Sequence, residues 1–370
     1  MSALFSPYDL GGLRLANRIV IAPMCQYSAE NGSATDWHMM HLGQLAMSGA
    51  AMLIIEATGV EPEGRITPGC LGLWSDENAA ALGRVLAAIR KYSPIRVAIQ
   101  LAHAGRKGSS RAPWDGGTLL APEDGGWRPC APSALPHAAG EAAPLELDRA
   151  GLERIREAFA AAARRAYALG LDAIELHGAH GYLLHEFLSP LANQRDDEYG
   201  GALENRMRFP LEVFAAVRAA VPSAMPVGVR VSATDWVDGG WDVEQCAVLA
   251  RALAERGCSF LHVSSGGVSP QQKIPQHANY QVGLAENLRA ASGLPTIAVG
   301  LITSPEQAEA LVAEGRVDLV AIARAMLFNP RWPWHAAARL GDSVTAPRQY
   351  WRSQPRGMSK LFGEVKIGQR

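Results

Sequence analysis

The chain has 370 residues and a formal net charge of -1, and 48% of its residues are apolar, enough to bury a large core. This length suits one large α/β domain with insertions, and the near-zero charge excludes a general attraction to nucleic acid or anionic membranes. The five cysteines are scattered without a C-x-x-C pair, which argues against an iron–sulfur cluster or a Cys-based zinc site and fits a reducing cytosol. Residues 1–12 lack the basic and apolar regions of a signal peptide, and no apolar run reaches the roughly 18 residues of a membrane span. We therefore expect a cytoplasmic protein without nucleic-acid or membrane partners.

Residues 4–18 consist of short apolar pieces split by Gly11 and Gly12, and they predict a small hairpin ahead of the main fold. Eight continuous apolar runs rich in β-branched residues follow, at 19–23, 51–57, 96–102, 171–177, 226–232, 260–265, 295–300 and 319–324. Continuous rather than alternating runs indicate strands that are covered on both faces.

Each run is followed by a helix-like stretch, at 36–48, 76–92, 148–169, 205–220, 242–256, 284–292, 305–314 and 331–340. Eight strand–helix alternations predict parallel strands joined by right-handed crossovers, and eight such strands close a (β/α)8 TIM barrel of the α/β class. A doubly wound open sheet is the alternative, although no G-x-G-x-x-G follows the first strand.

Two segments depart from this alternation. Residues 106–147 carry Gly, Pro, Trp and Ser without clear periodicity and predict a capping excursion over the barrel mouth. Residues 342–370 predict a C-terminal arm. We expect residues 1–370 to form a single domain with these additions.

Three chemically active side chains cluster where the fourth predicted strand ends. His177, His180 and Tyr182 lie within six residues, at the carboxyl end of a strand, where TIM barrels carry their chemistry. Two imidazoles three residues apart can donate hydrogen bonds to one small oxygen atom. A structural pair or a zinc pair are the alternatives, but no third zinc ligand is evident. His38 and His41 share this spacing inside a helical stretch, where packing or capping explains them.

The other predicted strands end in small, amide, guanidinium and hydroxyl groups. The tips are Pro23-Met24-Cys25, Ala57-Thr58, Gln100, Arg230, Ser264-Ser265, Gly300 and Ala323-Arg324. No Asp or Glu lies at these tips, so we expect no metal centre. A mouth with two arginines and no carboxylate suits an anionic, planar, hydrogen-bonding ligand such as a phosphorylated flavin.

Five motifs carry a resemblance that covers nearly the whole chain. They are PMCQY at 23–27, QLAHAGRK at 100–107, HGAHGYLLHEFLSPLANQRDDEYGG at 177–201, RVSA at 230–233 and P-x-Q-Y-x-R at 347–352. With them the sequence resembles the old yellow enzyme family of FMN-dependent ene-reductases, and specifically its class III, YqjM-like (thermophilic-like) branch.

The resemblance implies a set of residues that bind FMN. Gln100 would bond the pyrimidine edge, Arg230 would lie near N1, and Gly300, Ala323 and Arg324 would hold the phosphate. The remaining implied contacts along the flavin are Ala22, Pro23, Met24, Cys25, Ala57, His177 and Ser264.

The resemblance also implies the reaction. NADPH or NADH would reduce FMN, and hydride would then pass from flavin N5 to the β-carbon of an alkene conjugated to a carbonyl or nitro group. His177 and His180 would bind the substrate oxygen and Tyr182 would protonate the α-carbon. Tyr27 would touch substrate, and Cys25 would tune the flavin potential.

The branch further implies a homodimer or homotetramer, in which Arg352 reaches the neighbouring subunit's site. The tail here continues to Arg370, which departs from the branch pattern. Larger barrel flavoproteins related to dienoyl-CoA reductase, a metal-dependent barrel hydrolase and a flavin-storage protein are the rival interpretations.

Overall fold

Eight parallel strands close into a barrel in the computed structural model, which describes residues 2–363. In chain order the strands are β1 (Tyr8–Leu10), β2 (Leu13–Leu15), β3 (Ile19–Ile21), β4 (Met52–Gly59), β5 (Arg96–Ala102), β6 (Cys130–Ala131), β7 (Leu145–Glu146), β8 (Ala173–Gly178), β9 (Val227–Ser232), β10 (Leu261–Ser264), β11 (Thr296–Ala298) and β12 (Leu319–Ile322). The barrel runs β3-β4-β5-β8-β9-β10-β11-β12 and closes back onto β3. This closure confirms the predicted (β/α)8 fold and excludes the open sheet.

Ten helices surround the barrel within the described residues. They are α1 (Asp36–Ala46), α2 (Asp76–Tyr92), α3 (Arg149–Ala168), α4 (Leu183–Leu188), α5 (Leu203–Ala220), α6 (Val243–Glu255), α7 (Val282–Ser292), α8 (Pro305–Ala313), α9 (Arg324–Phe328) and α10 (Trp332–Leu340). Eight of them match the predicted helices, and the short helices α4 and α9 were not predicted. Both lie in the connection that leaves the carboxyl end of a barrel strand, β8 for α4 and β12 for α9. No helix within residues 2–363 has the length and apolarity needed to cross a bilayer.

The amino-terminal end of the barrel is filled and closed. Inward side chains such as Val20, Ile54 and Leu319 are fully buried there. The β1–β2 hairpin adds Leu10 and Leu15 to the same apolar cluster. The carboxyl ends of the strands therefore form the only mouth that the barrel interior offers to a ligand in the described part of the chain.

The C-terminal arm packs near the closed end of the barrel. A short 3-10 helix, Arg348–Ser353, follows Pro347, and the Tyr350 ring lies 6.0 Å from that of Trp334. Residues 345–349 and Trp351 border a cavity of about 620 Å³, together with residues 49–51 and 95–96 before and at the starts of β4 and β5. Arg352 is exposed, and the arm that carries it packs at the opposite end of the barrel from the mouth. Residues 364–370 of the predicted arm lie outside the described residues.

Candidate active site

The turn after β8 is held in an unusual backbone conformation. His180 has φ +60° and Gly181 has φ +72°, a region that non-glycine residues adopt only when the surroundings enforce it. A Cβ atom on Gly181 would collide with the carbonyl oxygen of Gly267, and one on Gly267 would collide with the backbone of His180. The loop after β10 thus packs directly against the backbone that carries His180.

A continuous hydrogen-bond chain links the two predicted histidines. The Ala179 amide donates to His177 Nδ1 at 3.3 Å, so the neutral His177 ring carries its proton on Nε2. His177 Nε2 lies 3.4 Å from His180 Nδ1, and His180 Nε2 lies 2.7 Å from Ser264 Oγ. Ser264 Oγ can in turn donate to Gln281 Oε1 at 3.4 Å. The two rings therefore face each other through Nε2 of His177 and Nδ1 of His180.

Burial keeps both imidazoles uncharged and the neighbouring phenol protonated. Desolvation lowers the pKa of His177 and that of His180 well below the ordinary value, and the nearby Arg230 cation adds to the effect. Desolvation also raises the pKa of Tyr182 well above 10. The Tyr182 ring lies 4.8 Å from the His177 ring in an edge-on arrangement. The cluster therefore presents neutral N–H donors and a protonated phenol at pH 7.

Lys107 reaches this cluster from the start of the excursion. Its Nζ donates to the carbonyl oxygen of His180 at 2.9 Å and to that of Gly267 at 3.1 Å. It also lies 5.1 Å from the centre of the Tyr182 ring. Burial lowers the pKa of Lys107 to about 8. These hydrogen bonds join the lysine to two loops of the mouth.

The turn after β3 supplies the opposite wall. Tyr27 has φ +52°, and the preceding Gln26 amide donates to Glu56 Oε2 at 2.9 Å. Glu56 lies in a β-bulge of β4, a feature that redirects side chains beside active sites. Burial raises the pKa of Cys25 well above its ordinary value, so this residue is a thiol rather than a thiolate. The Tyr27 ring meets Trp114 of the excursion edge-on at 5.5 Å.

A polar layer lies beneath these walls inside the barrel. Gln100, Glu175 and His262 are fully or almost fully buried on β5, β8 and β10, and Arg230 on β9 is 8% exposed. Gln100 Nε2 donates to Glu175 Oε1 at 2.7 Å, and Glu175 Oε2 lies 2.8 Å from His262 Nδ1. The prediction considered the strand tips alone, and it missed the carboxylate of Glu175 beneath the mouth. Glu175 precedes the strand tip by two residues, and its inward alternation with His177 is the signal that could have identified it.

The ends of β11 and β12 lie side by side in the barrel. Gly300 has φ +128°, and a Cβ there would approach Gln281 Nε2 to 2.8 Å. Ala323 and Arg324 begin α9 directly after β12.

The other predicted cofactor residues lie on the neighbouring strands. Ala22, Pro23 and Met24 follow the adjacent β3, and Ala57 is paired with Gln100 between β4 and β5. The barrel thus gathers the predicted cofactor set, while Ser264 turns its hydroxyl toward His180 and Arg352 stays on the arm.

A small cavity opens beside Tyr27 beneath the excursion. Its volume is about 190 Å³, and Tyr27, Lys107, Arg111 and His137 contribute to its lining. Residues 2–363 contain no group of three His, Cys, Asp or Glu side chains suited to hold a metal ion. Polar side chains of the excursion therefore line a small cavity beside the mouth.

Residues 3–343 match the sequence family of NADH:flavin oxidoreductases and NADH oxidases. The chain belongs to this family. It is 44% identical over 351 residues to an NADPH dehydrogenase of Geobacillus sp. (strain WCH70), covering 94% of this chain and 98% of that protein. Such similarity to a flavin oxidoreductase confirms the family resemblance and identifies an NAD(P)H-dependent oxidoreductase that uses FMN.

Solved structures with the same architecture support this assignment. Morphinone reductase superimposes with a TM-score of 0.77 at 29% identity, covering 98% of this chain and 94% of that one. A structure of morphinone reductase in complex with tetrahydroNAD gives a TM-score of 0.75 at 29% identity, with 93% and 92% covered.

The polar layer fits the FMN of the flavin oxidoreductase family. Arg230 Nε is buried without a hydrogen-bond partner among residues 2–363, so the guanidinium has donor capacity to spare for an anionic or electron-rich ligand. Gln100 keeps its carbonyl oxygen free of protein donors within the same part of the chain. A planar ring with carbonyl and N–H groups on one edge can satisfy both side chains.

Proposed function

We propose that this family member is an ene-reductase that reduces alkenes conjugated to a carbonyl or nitro group. The observation that carries the proposal is the pair of neutral imidazoles, His177 buried and His180 half-buried, whose facing nitrogens lie 3.4 Å apart. Simple flavin storage requires no such donor pair. Bound FMN would supply the redox chemistry, accepting hydride from NADPH or NADH and passing hydride to the β-carbon of the alkene in a ping-pong cycle.

His177 and His180 are proposed to donate hydrogen bonds to the substrate oxygen. Negative charge accumulates on that oxygen as the β-carbon gains hydride, and fixed donors stabilise it more than they stabilise the ground state. Removing one donor of this kind typically costs about 3–4 kcal/mol of transition-state stabilisation. Because burial keeps both rings neutral, each ring has only one N–H, and its position decides what the pair can bind.

Ser264 is proposed to select the productive tautomer of His180. His180 can donate from Nδ1 to a substrate only if its Nε2 is an acceptor. The Ser264 hydroxyl, 2.7 Å from Nε2, can turn from Gln281 and donate to that nitrogen. The two histidines would then point both N–H groups at one oxygen atom.

Tyr182 is proposed as the acid that protonates the α-carbon. Its raised pKa keeps the proton available throughout the neutral range, and proton donation of this kind contributes roughly 10²–10⁴-fold. Tyr27 would contact the substrate from the opposite wall. Cys25, as a half-buried protonated thiol, would shape the flavin environment without acting as a nucleophile.

We propose that different strand ends bind different parts of FMN. Gln100 and Arg230 would bind the ring, where a cation favours the anionic reduced form. Gly300, Ala323 and Arg324 would bind the phosphate. They follow β11 and β12, the seventh and eighth strands of the barrel, where barrels commonly bind phosphate. The backbone from Ala22 to Cys25, with Ala57, would pack along the ring.

Arg352 is proposed to act in a neighbouring subunit of a homodimer or homotetramer. Its exposure on the arm near the closed end of the barrel supports this. Mixing Arg352→Ala protein with His177→Ala protein should form hybrid sites that hold both residues and regain substrate affinity. Unchanged affinity in Arg352→Ala, together with no gain on mixing, would refute the role.

An anaerobic spectral titration tests the proposed function. We expect a yellow protein whose flavin absorbance is bleached by NADPH and restored by cyclohexenone. The His177→Ala/His180→Ala variant should stay yellow and be bleached, but restore its colour at least 10²-fold more slowly with the enone. His41→Ala on α1 is the matched control and should behave like wild type. Equal restoration in the double variant and wild type would contradict the proposal.

A further inference from the structure

The buried carboxylate of Glu175 joins three barrel strands beneath the mouth. Glu175 has no exposed surface and lies on β8, two residues before His177. One oxygen accepts from Gln100 Nε2 of β5, and the other bonds to His262 Nδ1 of β10. A carboxylate buried this deeply is expensive unless its oxygens are hydrogen-bonded, and both are.

Glu175 determines the orientation of the Gln100 amide and the position of the proton on His262. An ionised carboxylate only accepts hydrogen bonds, so Gln100 must turn its NH₂ group toward Glu175 and keep its carbonyl oxygen for another donor. The pyrimidine edge of an isoalloxazine contains one N–H donor between two carbonyl oxygens, and the Gln100 oxygen can accept from that N–H. In the same way, His262 must carry its proton on Nδ1.

The polar layer also contains one buried guanidinium group, that of Arg230, and one buried carboxylate, that of Glu175. Desolvation lowers the pKa of His262, so this ring does not neutralise Glu175. Arg230 lies beside both His177 and His262 in the strand register, and Glu175 favours its charged form against the cost of burial. No ion pair within 4.0 Å joins Arg230 to a carboxylate in residues 2–363. One cation and one anion therefore share the layer without contact.

We propose that Glu175 is a positioning residue that sets the orientation of Gln100 and lowers the reduction potential of bound FMN. Its negative charge opposes the negative charge that the flavin gains on reduction, and so partly offsets the effect of Arg230. This inference depends on the proposed placement of FMN against Gln100 and Arg230.

The reduction potential of the FMN-loaded protein tests the electrostatic role. In Glu175→Gln the potential should rise, by a change of about tenfold in the ratio of reduced to oxidised FMN, or about 30 mV for two electrons. The variant should also bind oxidised FMN about tenfold more weakly, because its amide can turn Gln100. Glu186→Gln controls for placing an amide at a buried carboxyl position: Glu186 is equally buried, but it accepts from the Arg106 amide and not from this layer.

Glu175→Asp separates the effect of the negative charge from the effect of orienting Gln100. It also tests the inference if Glu175→Gln does not fold. It keeps the charge but is too short to hold both partners, so FMN affinity should fall while the potential stays near that of wild type. Wild-type potential and wild-type FMN affinity in these variants would overturn the inference. Wild-type protein that binds no FMN would instead refute the proposed function.

Discussion

His177 Nε2 and His180 Nδ1 face each other at 3.4 Å, with the ring planes at 87°. The two residues are only three apart, and the positive φ of His180 is what turns the second ring toward the first. The backbone of Gly267 and the ammonium group of Lys107 support that conformation from outside the turn. The paired donors therefore depend on three separate loops as well as on β8.

The first prediction concerns pH. Because burial lowers the pKa of both His177 and His180, neither ring should gain a proton as the pH falls from 8 to 6. The raised pKa of Tyr182 means that this acid keeps its proton over the same range. Stopped-flow measurement of flavin reoxidation by cyclohexenone should show a flat profile from pH 6 to 7.5. A rate limb with a pKa near 6.5 would contradict the assignment of neutral donors.

The second prediction concerns Ser264. Replacing it with Ala removes the hydroxyl that can donate to His180 Nε2, so the Nδ1–H tautomer loses about 0.5–1.5 kcal/mol of support. We expect the dissociation constant of cyclohexenone to rise about twofold to tenfold, measured by flavin absorbance of the oxidised protein. Ser265→Ala is the control, since that hydroxyl donates to Gln281 and has no hydrogen bond to His180. Equal effects of the two substitutions would argue against tautomer selection.

The third prediction concerns Lys107. Its pKa of about 8 means that the ammonium loses its charge between pH 7 and 9, and its hydrogen bonds to the carbonyl oxygens of His180 and Gly267 then weaken. Enone reduction by wild type should therefore decline above pH 8. Lys107→Met should be slower at pH 7 and should lack that alkaline decline. Lys91→Met, at an exposed position of α2, should retain the wild-type profile; an unchanged profile in Lys107→Met would refute the role.

The fourth prediction separates backbone strain from steric collision. Gly181→Ala and Gly12→Ala both place a Cβ at positive φ, which costs roughly 1–2 kcal/mol. Only a Cβ added at Gly181 would also collide with backbone atoms of a neighbouring loop, because nothing lies within 4 Å of a Cβ on Gly12. We expect Gly181→Ala to lower the free energy of unfolding more than Gly12→Ala does, and to slow enone reduction at least tenfold. Urea titrations and single-turnover rates of both variants provide the measurement.

The sequence alone was sufficient to predict the barrel fold and many of the residues at its mouth. Eight buried apolar runs alternating with helices admit few topologies, and parallel strands bring their carboxyl ends to one side. His177, Gln100 and Arg230 could therefore be assigned to one mouth before any coordinate was known. The family resemblance then attached FMN to that mouth.

Only the tertiary structure revealed what holds these residues in place. The link between Glu175 and Gln100 depends on the register of β5 against β8, and the position of Glu56 depends on a bulge that shifts the register of β4. The contact of Lys107 with His180 joins residues 73 apart in the chain, and the arm that carries Arg352 packs away from the mouth. Hydrophobic periodicity determines which face of a strand is buried, but polar contacts between strands and loops depend on register and loop packing, which no local pattern encodes.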